Sequence, residues 1–156
     1  MINNSPPSIA IDLISDTATR PCAAMRSAIA NAAVGDEQRG EDPTVNLLNE
    51  RVARLLGQEA AIFLPSGTMC NQIAMAVHCG PGDEIIAAAN AHIISSEGSG
   101  AAVFAGSTIR PVATPNGVFG AADLTAAVRP RRVKSPRSRL VVVEQTSNRG
   151  GGAIWP

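Results

Sequence analysis

AAIFLPSGTMCNQIAMAVHCG (residues 60–80), with the PGDEIIAAA that follows it (81–89), decides the fold class. Residues 60–65 are a short apolar run, which reads as a buried strand. Ser66, Gly67 and Thr68 then turn the chain into a helix that Gly80 and Pro81 stop. Residues 83–89 (DEIIAAA) predict a second strand. A strand, a tight polar turn, a helix and another strand make the unit of a mostly parallel α/β sheet flanked by helices.

The same alternation extends outward. After 83–89, the segment from His92 through Glu97 predicts a helix broken at Gly98 or Gly100. STIRPV (107–112) predicts a strand, Asn116-Gly117 a turn, AADLTAAVR (121–129) a short helix, and LVVVEQ (140–145) a β-branched strand. RPRRVKSPRSR (129–139) reads as a basic connection, and NRGGG (148–152) as a glycine-rich break. Upstream, Pro43 and Thr44 precede Val45, Leu48, Val52 and Leu55, an apolar stripe at helical spacing that Gly57 ends. Residues 21–33 predict another helix, 35–42 a charged loop, 9–13 a short extended run, and 1–8 a loose leader.

Composition narrows the function classes. With 13 basic and 13 acidic residues in 156, the net charge is zero, so no nucleic-acid partner is expected. Aromatics are 3%, which removes the stacking platforms that single-stranded nucleic acids use. No apolar run of about 18 residues is present, so no membrane partner is expected either. Cys22, Cys70 and Cys79 lack framework spacing and read as reduced thiols of a cytoplasmic protein. No short ligand pair joins them to His78 or His92, so no metal is expected.

Four segments carry chemistry. Ser66, Gly67 and Thr68 sit where a strand meets a helix N-terminus; free N–H groups and hydroxyls there make a phosphate cradle or an ordinary helix cap. His92 follows the C-terminal end of a predicted strand, where open α/β sheets build sites, and its imidazole can stack on a planar group or move a proton. SDTATRP (15–21) is dense in hydroxyls, suited to a carboxylate or to a cap network. Residues 144–148 (EQTSN) again lie just past a strand end.

In this order, SDTATRP, GDEQRGEDPTVNLL, EAAIFLPSGTMCNQIA, the AHI segment and EQTSN resemble the N-terminal half of the threonine aldolase / β-eliminating lyase family. The resemblance runs from about residue 10 to the last residue. It implies the large domain of an aspartate-aminotransferase-like fold, with pyridoxal 5'-phosphate as cofactor. By this resemblance Ser66, Gly67 and Thr68 hold the phosphate, and His92 stacks on the pyridine ring and serves as acid or base. Thr146 lies near the cofactor, while Ser15 and Ser147 contact the amino-acid substrate. The implied reaction cleaves a β-hydroxy amino acid to glycine and an aldehyde, with β-elimination as the alternative. The family's dimers and tetramers imply a homo-oligomer for the full-length form.

Three departures qualify it. Family members carry their Schiff-base lysine well downstream of the EQTSN-like motif, whereas the single lysine here is Lys134, in the basic connection. The resemblance therefore implies that residues 9–156 form an incomplete large domain, inactive alone. Arg39 replaces a common aromatic, and Ser147 stands where many of these aldolases carry a histidine, whose role as a base near neutral pH a hydroxyl cannot take.

Overall fold

The computed structural model describes Ile11 and residues 15–156. The expected leader and most of the extended run at 9–13 lie outside the described residues. Two compact units divide the chain, one up to Phe63 and one over Leu64–Pro156.

In the first unit, α1 (Ala23–Ala30) and α2 (Pro43–Leu56) form where the apolar spacing predicts them. Asp42 starts α2: its carboxylate accepts from the N–H groups of Thr44 and Val45, both at 2.9 Å, with Pro43 in the first helical turn. Gly57 ends the helix at φ 63°. The charged loop before α2 is held by its own polar groups. Asp42 also accepts from Gly35 N–H, Asn46 donates to the Gly40 carbonyl, and Thr44 donates to the Ala33 carbonyl. A 3-10 turn over Glu37–Arg39 occupies its centre.

The second unit carries a three-stranded parallel sheet in the order β2-β1-β3. The strands are β1 (Asp83–Ala88), β2 (Thr108–Val112) and β3 (Arg137–Val141). Helix α3 (Gly67–His78) precedes β1; α4 (His92–Ser95) and α5 (Gly100–Ala105) connect β1 to β2; α6 (Ala121–Ala127) connects β2 to β3. All six residues of the central strand β1 are buried, as expected for a strand flanked on both edges and covered by helices. Ile85, Ile86 and Ala87 form the middle of a core completed by Met75, Ala105 and Phe119. Small residues let the elements close in: a Cβ on Gly100 would come within 2.5 Å of the Gln72 amide, so glycine there permits the close approach of α5 to α3. Pro111 lies in β2 opposite Ala87. Among the described residues, no helix is long and apolar enough to cross a membrane.

Three expectations are corrected. Residues 60–65 form no strand, and Ile62 and Phe63 are exposed. A strand needs a ladder partner, and residues 60–65 pair with no strand among the described residues. The third strand starts three residues earlier than LVVVEQ suggests. Arg137 forms a two-point ion pair with Asp83, at 2.8 and 2.9 Å, and the Ser138 hydroxyl donates to Glu84, which draws the end of the basic connection into the ladder. The segment after His92 is two short helices, because Gly98 and Ser99 both take left-handed backbone (φ 59° and 62°) before α5 begins.

Candidate active site

The site is built on α3 and on the loops at the C-terminal ends of β1 and β3. Ser66 caps α3: its backbone is extended, and its hydroxyl accepts from Met69 N–H at 3.1 Å. The Ser66 carbonyl takes Cys70 N–H. That leaves the N–H groups of Gly67 and Thr68, and the Thr68 hydroxyl, without partners among the described residues. The space outside Gly67 is open, since a Cβ there would meet nothing within 4 Å. Two unpaired N–H groups, the positive end of a three-turn helix and unfilled room fit a phosphate group.

His92 opens α4 immediately past β1. Its side chain is 44% exposed, and its Nδ1 lies 2.8 Å from Oε1 of Glu97, whose side chain is fully buried. The same Oε1 accepts from the Asn71 amide at 2.7 Å, and the Glu97 carbonyl accepts from Gln72 at 3.2 Å. Glu97 thus ties His92 to the second turn of α3, the helix whose first turn presents Gly67 and Thr68. A carboxylate oxygen only accepts, so Nδ1 is the donor of this pair, and Nε2 is the ring nitrogen not engaged by Glu97. On the other side, His92 N–H donates to Glu144 Oε2 at 2.6 Å, and Asn148 N–H donates to Glu144 Oε1 at 2.8 Å. Glu144 therefore joins the loop after β3 to the start of α4. The exposed imidazole is fixed by two carboxylates, one on its ring and one on its backbone. The Glu97 Oε2 and Asn90 Oδ1 atoms are buried without hydrogen-bond partners.

The remaining expected residues are placed differently. Thr146 is exposed beside Glu144. Ser147 is 1% exposed, its backbone paired with Ala153 and its hydroxyl packed where Gly117 and Gly150 lack side chains. Ser15 belongs to the first unit, where its hydroxyl bonds Thr17 Oγ1 at 2.8 Å. Ser66, Gly67, Thr68 and His92 are thus joined through α3 and the Asn71–Glu97–His92 hydrogen bonds. The sequence reading gave no role to Asn71 or Glu97. The usable signal was an acidic residue five positions after His92, in a segment otherwise made of small and apolar residues. Among the described residues, no three His, Cys, Asp or Glu side chains are grouped to hold a metal ion.

Comparison with known proteins adds a lineage. A family model described as beta-eliminating lyase matches residues 12–156. The low specificity L-threonine aldolase of Escherichia coli (strain K12) is 42% identical over 147 residues, covering 94% of this chain and 43% of that protein. Low-specificity L-threonine aldolase 1 of Arabidopsis thaliana is 42% identical over 148 residues, covering 91% of this chain and 41% of that protein. The chain spans about two fifths of the length of these curated relatives. Among solved structures, the Leishmania major threonine aldolase superposes with a TM-score of 0.63 at 26% identity, over 70% of this chain and 32% of that one.

Proposed function

Because the chain belongs to the beta-eliminating lyase family, we propose that it carries the phosphate- and ring-contacting part of a pyridoxal-phosphate site of the threonine aldolase type. The observation that carries this reading is the Asn71–Glu97–His92 connection, which holds an exposed imidazole against the helix that presents free N–H groups at Gly67 and Thr68. When bound, pyridoxal phosphate supplies the electron sink for the pair released as a Cα–Cβ bond breaks. Gly67 N–H, Thr68 N–H and the Thr68 hydroxyl bind its phosphate, with Ser66 shaping the turn. His92 packs on the ring, and its Nε2, the ring nitrogen not engaged by Glu97, accepts the β-hydroxyl proton of the substrate. Ser15 contacts the substrate carboxylate, and Thr146 and Ser147 border the cofactor and the substrate's hydroxyl side. The substrate is a β-hydroxy amino acid of the threonine class, cleaved to glycine and an aldehyde. β-Elimination is the second reading, favoured by a hydroxyl rather than an imidazole at Ser147.

Covalent attachment of the cofactor needs a lysine, and Lys134 lies on the exposed turn before β3, at the opposite end of the parallel strands from His92. We therefore assign the 156 residues cofactor binding without turnover, with catalysis belonging to a full-length homo-oligomer. The test is titration of the chain with pyridoxal 5'-phosphate and, separately, with pyridoxal, followed by borohydride reduction and peptide mapping. The expected result is binding that depends on the phosphate, weakens about tenfold or more in the Ser66→Ala/Thr68→Ala variant, and gives no site-specific adduct. Equal binding of pyridoxal, or an unchanged double variant, refutes the cradle. A single reduced adduct at a defined residue, or aldehyde release from threonine, refutes binding without turnover.

A further inference from the structure

A concave site lies at the other end of the sheet from His92. The connection from α6 to β3 surrounds a cavity of about 710 Å³, within the range of roughly 300–1,000 Å³ typical of small-molecule sites. Its wall carries Arg129, Arg131, Arg132, Arg137 and Arg139, five of the 13 basic residues of a chain with no net charge. Two of these cations are neutralised: Arg129 pairs with Glu84 at 2.8 Å, and Arg137 pairs with Asp83. Arg139 donates to the His78 carbonyl. Arg131 and Arg132, with the neighbouring Lys134, have no hydrogen-bond or ion-pair partner for their side chains among the described residues.

The loop is also braced. Pro130 and Pro136 fix two backbone angles, Ser135 N–H closes a turn onto the Arg132 carbonyl at 3.1 Å, and Arg129 N–H reaches the Ser138 hydroxyl at 3.0 Å across the base. Three unpaired positive charges on one short braced segment repel one another. That arrangement is stabilised by a ligand of matching negative charge. Guanidinium groups bind phosphate oxygens two at a time, so two adjacent free arginines favour a chain of phosphates over a single carboxylate. The geometry points to a binding site for a linear oligophosphate, an inorganic chain or the tail of a nucleoside triphosphate, held by Arg131 and Arg132 on the cavity wall, with the charge of Lys134, outside the lining but in the same turn, adding to the attraction. Val128 and Pro136 give the cavity apolar wall for a base or other flat group. This site is distinct from the cradle at Ser66: it sits at the N-terminal end of β3, whereas His92 and Glu144 follow the C-terminal ends of β1 and β3.

The test is calorimetric titration of the full 156-residue chain with sodium tripolyphosphate and with ATP at low salt, on wild type, Arg131→Gln/Arg132→Gln, Lys134→Gln and Ser66→Ala/Thr68→Ala. All three cationic side chains are exposed, and circular dichroism checks that the variants stay folded. Saturable wild-type binding is expected to weaken about tenfold or more in the arginine variant, less in Lys134→Gln, and not at all in Ser66→Ala/Thr68→Ala. Tighter binding of ATP than of tripolyphosphate assigns the apolar wall to the base; equal binding assigns the site to the phosphate chain alone. The proposal is overturned if no saturable binding occurs, if the folded arginine variant binds like wild type, or if only the Ser66/Thr68 variant loses binding. It is also overturned if an oligouridylate displaces tripolyphosphate with an affinity that rises with strand length.

Discussion

Gly117 and Gly82 make a matched pair. Both take left-handed backbone, φ 87° and 86°, but a Cβ on Gly82 would meet nothing within 4 Å, whereas one on Gly117 would overlap the Ser147 hydroxyl. Gly82→Ala therefore costs only the backbone strain, about 1–2 kcal/mol, less the several tenths that alanine recovers by restricting the unfolded chain. Gly117→Ala costs the same plus the displacement of Ser147 in a filled site, about 1–3 kcal/mol more. The expected gap between the two variants is thus about 1–3 kcal/mol, and removing the hydroxyl should close it. Ser147→Gly combined with Gly117→Ala is expected to show a favourable coupling of about 1–3 kcal/mol in a double-mutant cycle. Urea unfolding reports all four variants through Trp155, whose ring meets Phe119 edge-on at 4.8 Å. Equal losses in Gly82→Ala and Gly117→Ala, within about 0.5 kcal/mol, or a cycle with no coupling, would refute the packing of the 144–148 loop against the Asn116-Gly117 turn.

Other expectations follow from the polar contacts. Glu97→Met removes the acceptor that Asn71 and His92 share and leaves the Asn71 amide unpaired; it should cost about 1–3 kcal/mol, and nitrogen-15 shifts of His92 should move from a single tautomer towards a mixture. An unchanged His92 spectrum would sink the assignment of Nδ1 as donor. Arg137 holds the Asp83 carboxyl down to about 2, from an ordinary value near 3.9. The stabilisation from this depressed carboxyl is complete above about pH 4 and is lost as pH falls towards 2. Asp42 acts in the same direction through the N–H groups of Val45, Gly35 and Thr44. Arg137→Met should move the acid-unfolding limb to higher pH, and superimposable limbs would count against the ion pair. Val141 and Val143, exposed on and just after β3, should promote association. Val141→Lys should shift the chain towards monomer in sedimentation, and an unaltered distribution would argue against that edge.

Helices α2 and α3 were legible because each carries its own signal, Pro43 and Thr44 at the start of α2, Gly57 at its end, and Ser66 before α3, whereas α5 was not foreseen. The strand at 83–88 was legible from the apolar stretch at 85–88. Residues 60–65 offer a similar run, yet a strand is a relation between segments, and composition cannot say which run finds a partner. The start of β3 was hidden for a related reason, since Arg137 and Ser138 join the ladder through Asp83 and Glu84, 54 residues away. At the candidate site, Ser66, Gly67, Thr68 and His92 could be named from their positions at the ends of elements. Their connection through Glu97 could not, because Asn71 and Glu97 meet across 26 residues and only after α3 and α5 have packed.

Pro111 gives the sheet a direction of growth. Proline has no N–H to offer a neighbour, and here it occupies the fourth of the five positions of β2, whose inner side is already committed to β1. A strand approaching from the outer side of β2 would find its ladder interrupted towards the C-terminal end. The outer side of β3, by contrast, has no proline between Arg137 and Val141, so each residue whose backbone groups face outward can both donate and accept. Any further strand, from the same polypeptide or another, is directed to the β3 side, and the two margins of this small sheet are chemically unequal: one is sealed, the other receptive.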